Sequence, residues 1–226
     1  RFYLVWAFLF TVIAVFFTAQ AFWSKKEAPY CAVVYATAPF PLAASNMVST
    51  DMLLACLQGI GTLFFWLAIR HRSQGYWILM WAAFGLAFLT KGAPALLPLL
   101  SSFVFYYIVR HKDKTLTGIW NPFGLFFFLV MGLGWYLQES IEHKGLLQYW
   151  VFHETIGRNL YGEFNRNPQF YKSFLIYWPL LLFGTGPWAL LLFWKRKHLS
   201  WPTTSWRQWT TWPYAQEWMF ISLSII

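Results

Sequence analysis

From Phe2 to Trp23 the chain runs without a single charged side chain. A helix needs about 20 consecutive apolar residues to cross the hydrocarbon of a bilayer. In lipid every backbone N–H and C=O must be paired within the segment, which commits such a block to helix. Comparable blocks follow at Tyr30–Ala44, Met52–Ile69 and Tyr76–Thr90, then from the Lys91-Gly92-Ala93-Pro94 turn to Val109, at Pro122–Leu137 and at Phe174–Trp194. An eighth starts near Tyr214. Only 11% of the residues are charged, against about 25% in soluble domains. These features predict an all-α polytopic transmembrane helix bundle of about seven to eight spans, read as one domain over the whole chain. Pro39 and Pro41 inside the second block predict a kink or a break there.

The formal charge is +9, but its distribution argues against nucleic-acid binding. Lys and Arg cluster at 25–26, 70–72, 110–114 and 195–197, each at the end of an apolar block. That is the positive-inside pattern, which places the four clusters in the cytoplasm. The spans then alternate without conflict, and 45–51, 91–94 and 138–173 share the opposite face. Cys31 and Cys56 lie in apolar stretches and read as packing residues rather than as a disulfide or metal site. The chain opens at Arg1 on an apolar run and stops at Ile226 inside another, with no cleavable signal sequence. The expectation is an internal piece of a longer protein.

Against this apolar background the stretch from Gln138 to Ser173 forms a polar island. It holds Glu139, Glu142, Glu154 and Glu163, half of the eight acidic residues, together with His143, His153, Lys144, Arg158, Arg166 and Lys172. A long loop carrying both charge signs, His and aromatics is where chemistry or recognition is expected. Leu146, Leu147, Trp150 and Phe152 give it an apolar side, so a partly helical segment lying along the interface is expected.

Three groups of residues can carry chemistry. His153 and Glu154 suit a divalent ion such as Zn, Mn or Mg, and Arg158 suits two-point contact with a phosphate. The same residues also suit an exposed Glu154–Arg158 ion pair with His153 at the interface. Asp51 is the one carboxylate between Glu27 and Asp113. It reads equally as a helix N-cap after Ser49-Thr50 and as an acid that binds a metal, a sugar hydroxyl or a cationic group. Lys91 reads as a snorkelling residue or as a contact for a lipid phosphate. The chain has no phosphate-binding glycine loop, dinucleotide fingerprint, HExxH or CxxC pair.

The order of short motifs resembles a known family. SNMVSTDMLLA at 45–55, FLTKGAPALLPLL at 88–100, GWYLQE at 134–139, YWVFHETIGRN at 149–159 and NPQFYKSFLIYWPLLLFGTGPW at 167–188 together resemble the bacterial protein-mannosyltransferase-like glycosyltransferases, which include the lipid A aminoarabinose transferases. The resemblance implies a multi-pass bacterial inner-membrane enzyme. Such enzymes move a sugar from a polyprenyl-phosphate donor to a lipid, glycan or protein acceptor on the periplasmic face. It implies Asp51 as a catalytic acid opening a helix, Lys91 and Arg158 near the donor phosphate, and His153 with Glu154 at a divalent metal. Tyr177, Pro179, Pro187 and Trp188 match structural marks. The main catalytic acid of the family falls in an external loop that precedes this stretch, so the isolated piece is expected to be inactive. Two other classes compete, a transporter or flippase for a lipid-linked solute and a structural membrane subunit. Nearly charge-free spans with polar groups gathered at one face favour interfacial chemistry over transport.

Overall fold

The computed structural model describes residues 2–22, 25–112, 114, 116–150, 152, 171, 175, 178–179 and 183–195. The described chain is helical, with no strand among the described residues. Three helical stretches are long and apolar enough to cross a membrane: Phe2–Ala21, Asp51–His71 and Pro122–Glu142.

Helix α1 (Phe2–Phe22) follows from the uncharged block. Its two buried or half-buried hydroxyls are satisfied within the helix, Thr11 on the Ala7 carbonyl at 2.7 Å and Thr18 on that of Ala14 at 2.7 Å, as an apolar surround demands. Trp6, Leu9, Phe10, Ile13 and Phe17 stand exposed along it, a surface suited to lipid. The second apolar block is broken, as its prolines predict. Helix α2 (Ala28–Thr37) stops and α3 (Pro39–Asn46) starts afresh. Between them Ala38 is extended, with ψ 132°, because a residue before proline is driven out of the helical region.

Helix α4 (Asp51–His71) ends at Arg72, in left-handed conformation with φ 52°. Helix α5 (Gln74–Lys91) ends at Gly92, whose φ of 70° favours glycine. A 3-10 turn (Ala93–Ala95) then leads into α6 (Leu96–Lys112). The sixth block is one continuous rod made of α7 (Pro122–Phe128), a π-helical turn (Leu129–Leu133) and α8 (Gly134–Glu142). The Asn121 side chain caps it, accepting from the Gly124 N–H at 3.0 Å. Short helix α9 (Leu146–Gln148) follows a glycine turn, and α10 (Pro187–Lys195) is the last described element.

Helix α5 is the centre of the packing. It lies against α4, α7 and the π turn, while α1 packs on the far side of α4. The core is aromatic: Phe65, Trp77, Phe84, Phe105 and Tyr106 have essentially no exposure. Trp77 meets Phe65 and Tyr106 edge to face, at 5.8 and 5.6 Å between ring centroids. The loop before α7 is tied down by polar bonds. Trp81 Nε1 donates to the Ile119 carbonyl at 2.6 Å, Tyr106 to that of Leu116 at 3.2 Å, and Asn121 to the Gln74 side chain at 2.9 Å.

These contacts sort the helix ends into two layers. Tyr3 donates to the Ser49 carbonyl at 3.4 Å, and Arg70 donates to the Ala21 carbonyl. Helices α1 and α4 therefore run parallel, with the end of α1 beside Arg70. Since α5 packs antiparallel on α4, Lys91 comes back to the Asp51 end. The layer holding Arg70, His71 and Arg72 is thus separate from the one holding 45–51 and 91–94, which is the alternation read from the basic clusters. Arg196 and Lys197 lie outside the described residues.

Candidate functional site

Two residues of the polar layer that lie 40 apart in sequence are joined. The Lys91 ammonium donates to the Asp51 carboxylate. Each is placed by a helix end: Asp51 is the first residue of α4 and Lys91 the last of α5. Asp51 is therefore not the N-cap. Thr50 occupies that position with helical φ and ψ and makes no capping bond, and the Asp51 N–H donates to Ser49 Oγ at 3.3 Å. The Asp51 carboxylate is engaged by the lysine rather than by its own helix.

Both side chains are open to solvent, Lys91 at 42% and Asp51 at 58%. An exposed pair contributes only about 0–1 kcal/mol to stability. What the pair fixes is position. It holds an ammonium beside a carboxylate at the adjoining ends of α4 and α5 and leaves further Lys91 donors for an anion. The turn after Lys91 is rigidly stitched. Gly92 N–H bonds to the Phe88 carbonyl at 2.6 Å, Ala95 N–H to that of Gly92 at 3.0 Å, and Gln58 reaches across from α4 to the Pro94 carbonyl at 3.1 Å.

The start of the polar island belongs to the same layer, and here the structure corrects the sequence boundary. The transmembrane helix does not stop at Leu137 but runs on through Glu142. Its last turns carry Gln138 bonded to Glu142 at 3.4 Å and His143 beside Glu139 at 3.4 Å. These are i, i+4 pairs, which a helical turn supports. Gly145, with φ 92°, reverses the chain into α9. Trp150 then folds back onto Trp135 and Tyr136, at 5.7 and 4.8 Å between centroids. The expectation of helical structure in contact with the helix ends holds for 146–150.

His153, Glu154 and Arg158 lie outside the described residues. Among the described residues no group of three His, Cys, Asp or Glu could hold a metal ion. Glu139 and His143 supply two donors at most, so the described part of the site does not by itself fit a divalent metal. Of the motif residues expected to be structural, Trp188 donates to Thr37 Oγ1 at 3.0 Å. A Cβ on neighbouring Gly186 would stand 2.8 Å from the Pro39 ring. These contacts brace the α2–α3 break against α10.

Sequence reasoning passed over Tyr136. It sits in the sixth apolar block and reads as a belt aromatic, yet its ring edge meets Phe88 at 5.7 Å and its hydroxyl stands beside Gly92. Its place two residues before the polar island was the available signal.

An apolar helical bundle whose ionisable groups stand at two opposite layers of helix ends is a polytopic membrane protein. The chain belongs to the dolichyl-phosphate-mannose-protein mannosyltransferase family, whose profile matches residues 1–136. It is similar to the undecaprenyl phosphate-alpha-4-amino-4-deoxy-L-arabinose arabinosyl transferase of Wigglesworthia glossinidia brevipalpis, 25% identical over 87% of this chain and 36% of the relative. The enzyme of the same name from Pseudomonas aeruginosa (strain UCBPP-PA14) is 27% identical over 80% of this chain and 33% of its own length. Transferase 1 of Pseudomonas fluorescens (strain Pf0-1) is 30% identical over 64% of this chain and 24% of its own length. The chain thus spans about a third or less of the curated relatives it matches. No solved structure matches it.

Proposed function

We propose that the intact protein is a membrane glycosyltransferase. It takes a sugar from a polyprenyl-phosphate-linked donor and passes it to a lipid, glycan or protein acceptor at the extracytoplasmic, periplasmic face of a bacterial inner membrane. The observation that carries this is the Asp51–Lys91 pair at the polar layer, in a chain of this family whose relatives are named for transfer from undecaprenyl phosphate-linked aminoarabinose. The bundle is read as seven to eight spans, with the six apolar blocks up to Glu142 alternating between the two layers.

In this reading negative charge grows on the donor phosphate as the sugar–phosphate bond breaks. Lys91 and Arg158 meet that charge where water is partly excluded, which favours the transition state over the ground state. Asp51 orients the Lys91 ammonium and, once released from it, is a carboxylate able to take a proton from the acceptor. His153 and Glu154 are proposed as ligands of a divalent ion, which would supply further charge neutralisation at the phosphate.

A transporter or flippase is disfavoured by family membership. It is disfavoured also by the described spans, whose ionisable residues, among them Asp51, Arg70, Lys91 and Glu139, stand at or near helix ends. Transport paths place such residues within the membrane. The test is sugar transfer from a polyprenyl-phosphate donor by the intact protein in membranes. Translocation of the donor without transfer would replace the enzyme with the flippase.

A further inference from the structure

The Tyr136 hydroxyl stands beside the turn that follows Lys91. Three aromatic rings surround its ring, the adjacent Trp135 at 5.1 Å and, from elsewhere in the chain, Phe88 of α5 at 5.7 Å and Trp150 at 4.8 Å, each meeting it edge to face. So held, the ring carries its hydroxyl to Gly92, the residue that follows Lys91. A Cβ built on Gly92 would stand 3.8 Å from Tyr136 Oη. Gly92 has none, and its φ of 70° keeps the position to glycine. Among the described residues this hydroxyl has no hydrogen-bond partner. The ring is half-buried and its phenol O–H is available as a donor at this corner.

We infer that Tyr136 is a substrate-binding residue, whose phenol donates to the phosphate of the lipid-linked donor alongside the Lys91 ammonium. The inference rests on the transferase reading and adds a residue to it. A phosphate seated at this corner receives a charged donor from α5 and a neutral one from α8. Two helix ends are then read at once. The Gly92 backbone, free of a side chain, lets the ligand approach closely. The phenol also suits the chemistry. A neutral O–H donates to an anion without adding a second fixed charge beside Asp51, so the corner stays near neutral when empty.

The test uses the intact protein in nanodiscs, titrated with undecaprenyl phosphate, comparing wild type with Tyr136→Phe and Lys91→Ala. Tyr136→Phe keeps all three ring contacts and removes only the hydroxyl. It should weaken binding about 10- to 100-fold, the range for a hydrogen bond to a charged group, and leave the unfolding temperature unchanged. If Lys91→Ala weakens binding while Tyr136→Phe binds as wild type does, the inference is overturned and the transferase reading stands. Wild-type binding by both variants would overturn both. A lowered unfolding temperature in Tyr136→Phe with unchanged affinity would make the hydroxyl structural and equally end the inference.

Discussion

Gly85 and Gly132 meet backbone to backbone where α5 crosses the π turn. A Cβ on Gly132 would stand 3.1 Å from the Gly85 carbonyl oxygen, and one on Gly85 would stand 3.0 Å from the Phe128 Cα. The opposing atoms are main chain and cannot swing aside. Either glycine replaced by alanine should push the two helices apart and lower stability by about 1–3 kcal/mol, as overpacking does. Thermal unfolding of Gly85→Ala and Gly132→Ala in detergent checks this, with Gly134→Ala as the control. A Cβ on Gly134 meets nothing within 4 Å, so that variant should melt close to wild type.

The Asp51–Lys91 pair separates stability from function. Because both side chains are substantially exposed, Lys91→Ala should change stability by at most about 1 kcal/mol. Transfer should nonetheless fall by about 10²–10³, the loss seen when one donor to a developing charge is removed. The charge-swapped variant Asp51→Lys with Lys91→Asp keeps the pair but moves the cation to α4, and it should not recover turnover. Full recovery would show that only the pairing matters and would remove Lys91 from phosphate contact.

Arg158 gives a sharper discrimination through its conservative variant. Against a phosphate in the transition state, Arg158→Ala should cost about 10²–10³ in transfer rate. Arg158→Lys should restore only part of it, since an ammonium cannot make the planar two-point contact. Near-normal turnover in Arg158→Ala, at matched expression, would leave that residue as a surface partner of Glu154.

The two layers of helix ends predict opposite accessibility. Ser140 lies in the last turns of α8, with its hydroxyl on the Tyr136 carbonyl at 2.6 Å, while Ser73 opens α5 beside Arg70–Arg72. Both native cysteines, Cys31 and Cys56, are free thiols and are replaced first. In that background a membrane-impermeant thiol reagent added from outside should label Ser140→Cys and spare Ser73→Cys. Labelling of both from the same side would break the assignment of faces.

Much of this architecture is legible in the sequence, because length and charge act along a single dimension. Uncharged blocks commit the backbone to helix in lipid, the prolines at 39 and 41 break the second block, and the basic clusters set which ends share a layer. The candidate residues Asp51, Lys91, His153, Glu154 and Arg158 are legible for the same reason, as polar groups standing out of an apolar chain. Which of them touch is another matter, because it depends on how far each helix is rotated about its axis and how closely its neighbours approach. Tertiary packing alone decided that Asp51 answers Lys91 rather than its own helix end, that α8 continues through Glu142, and that a π turn lets Gly132 close on Gly85. Only the fold brought Phe88 and Trp150 against Tyr136, placing the hydroxyl of one aromatic among many in an apolar block beside Gly92.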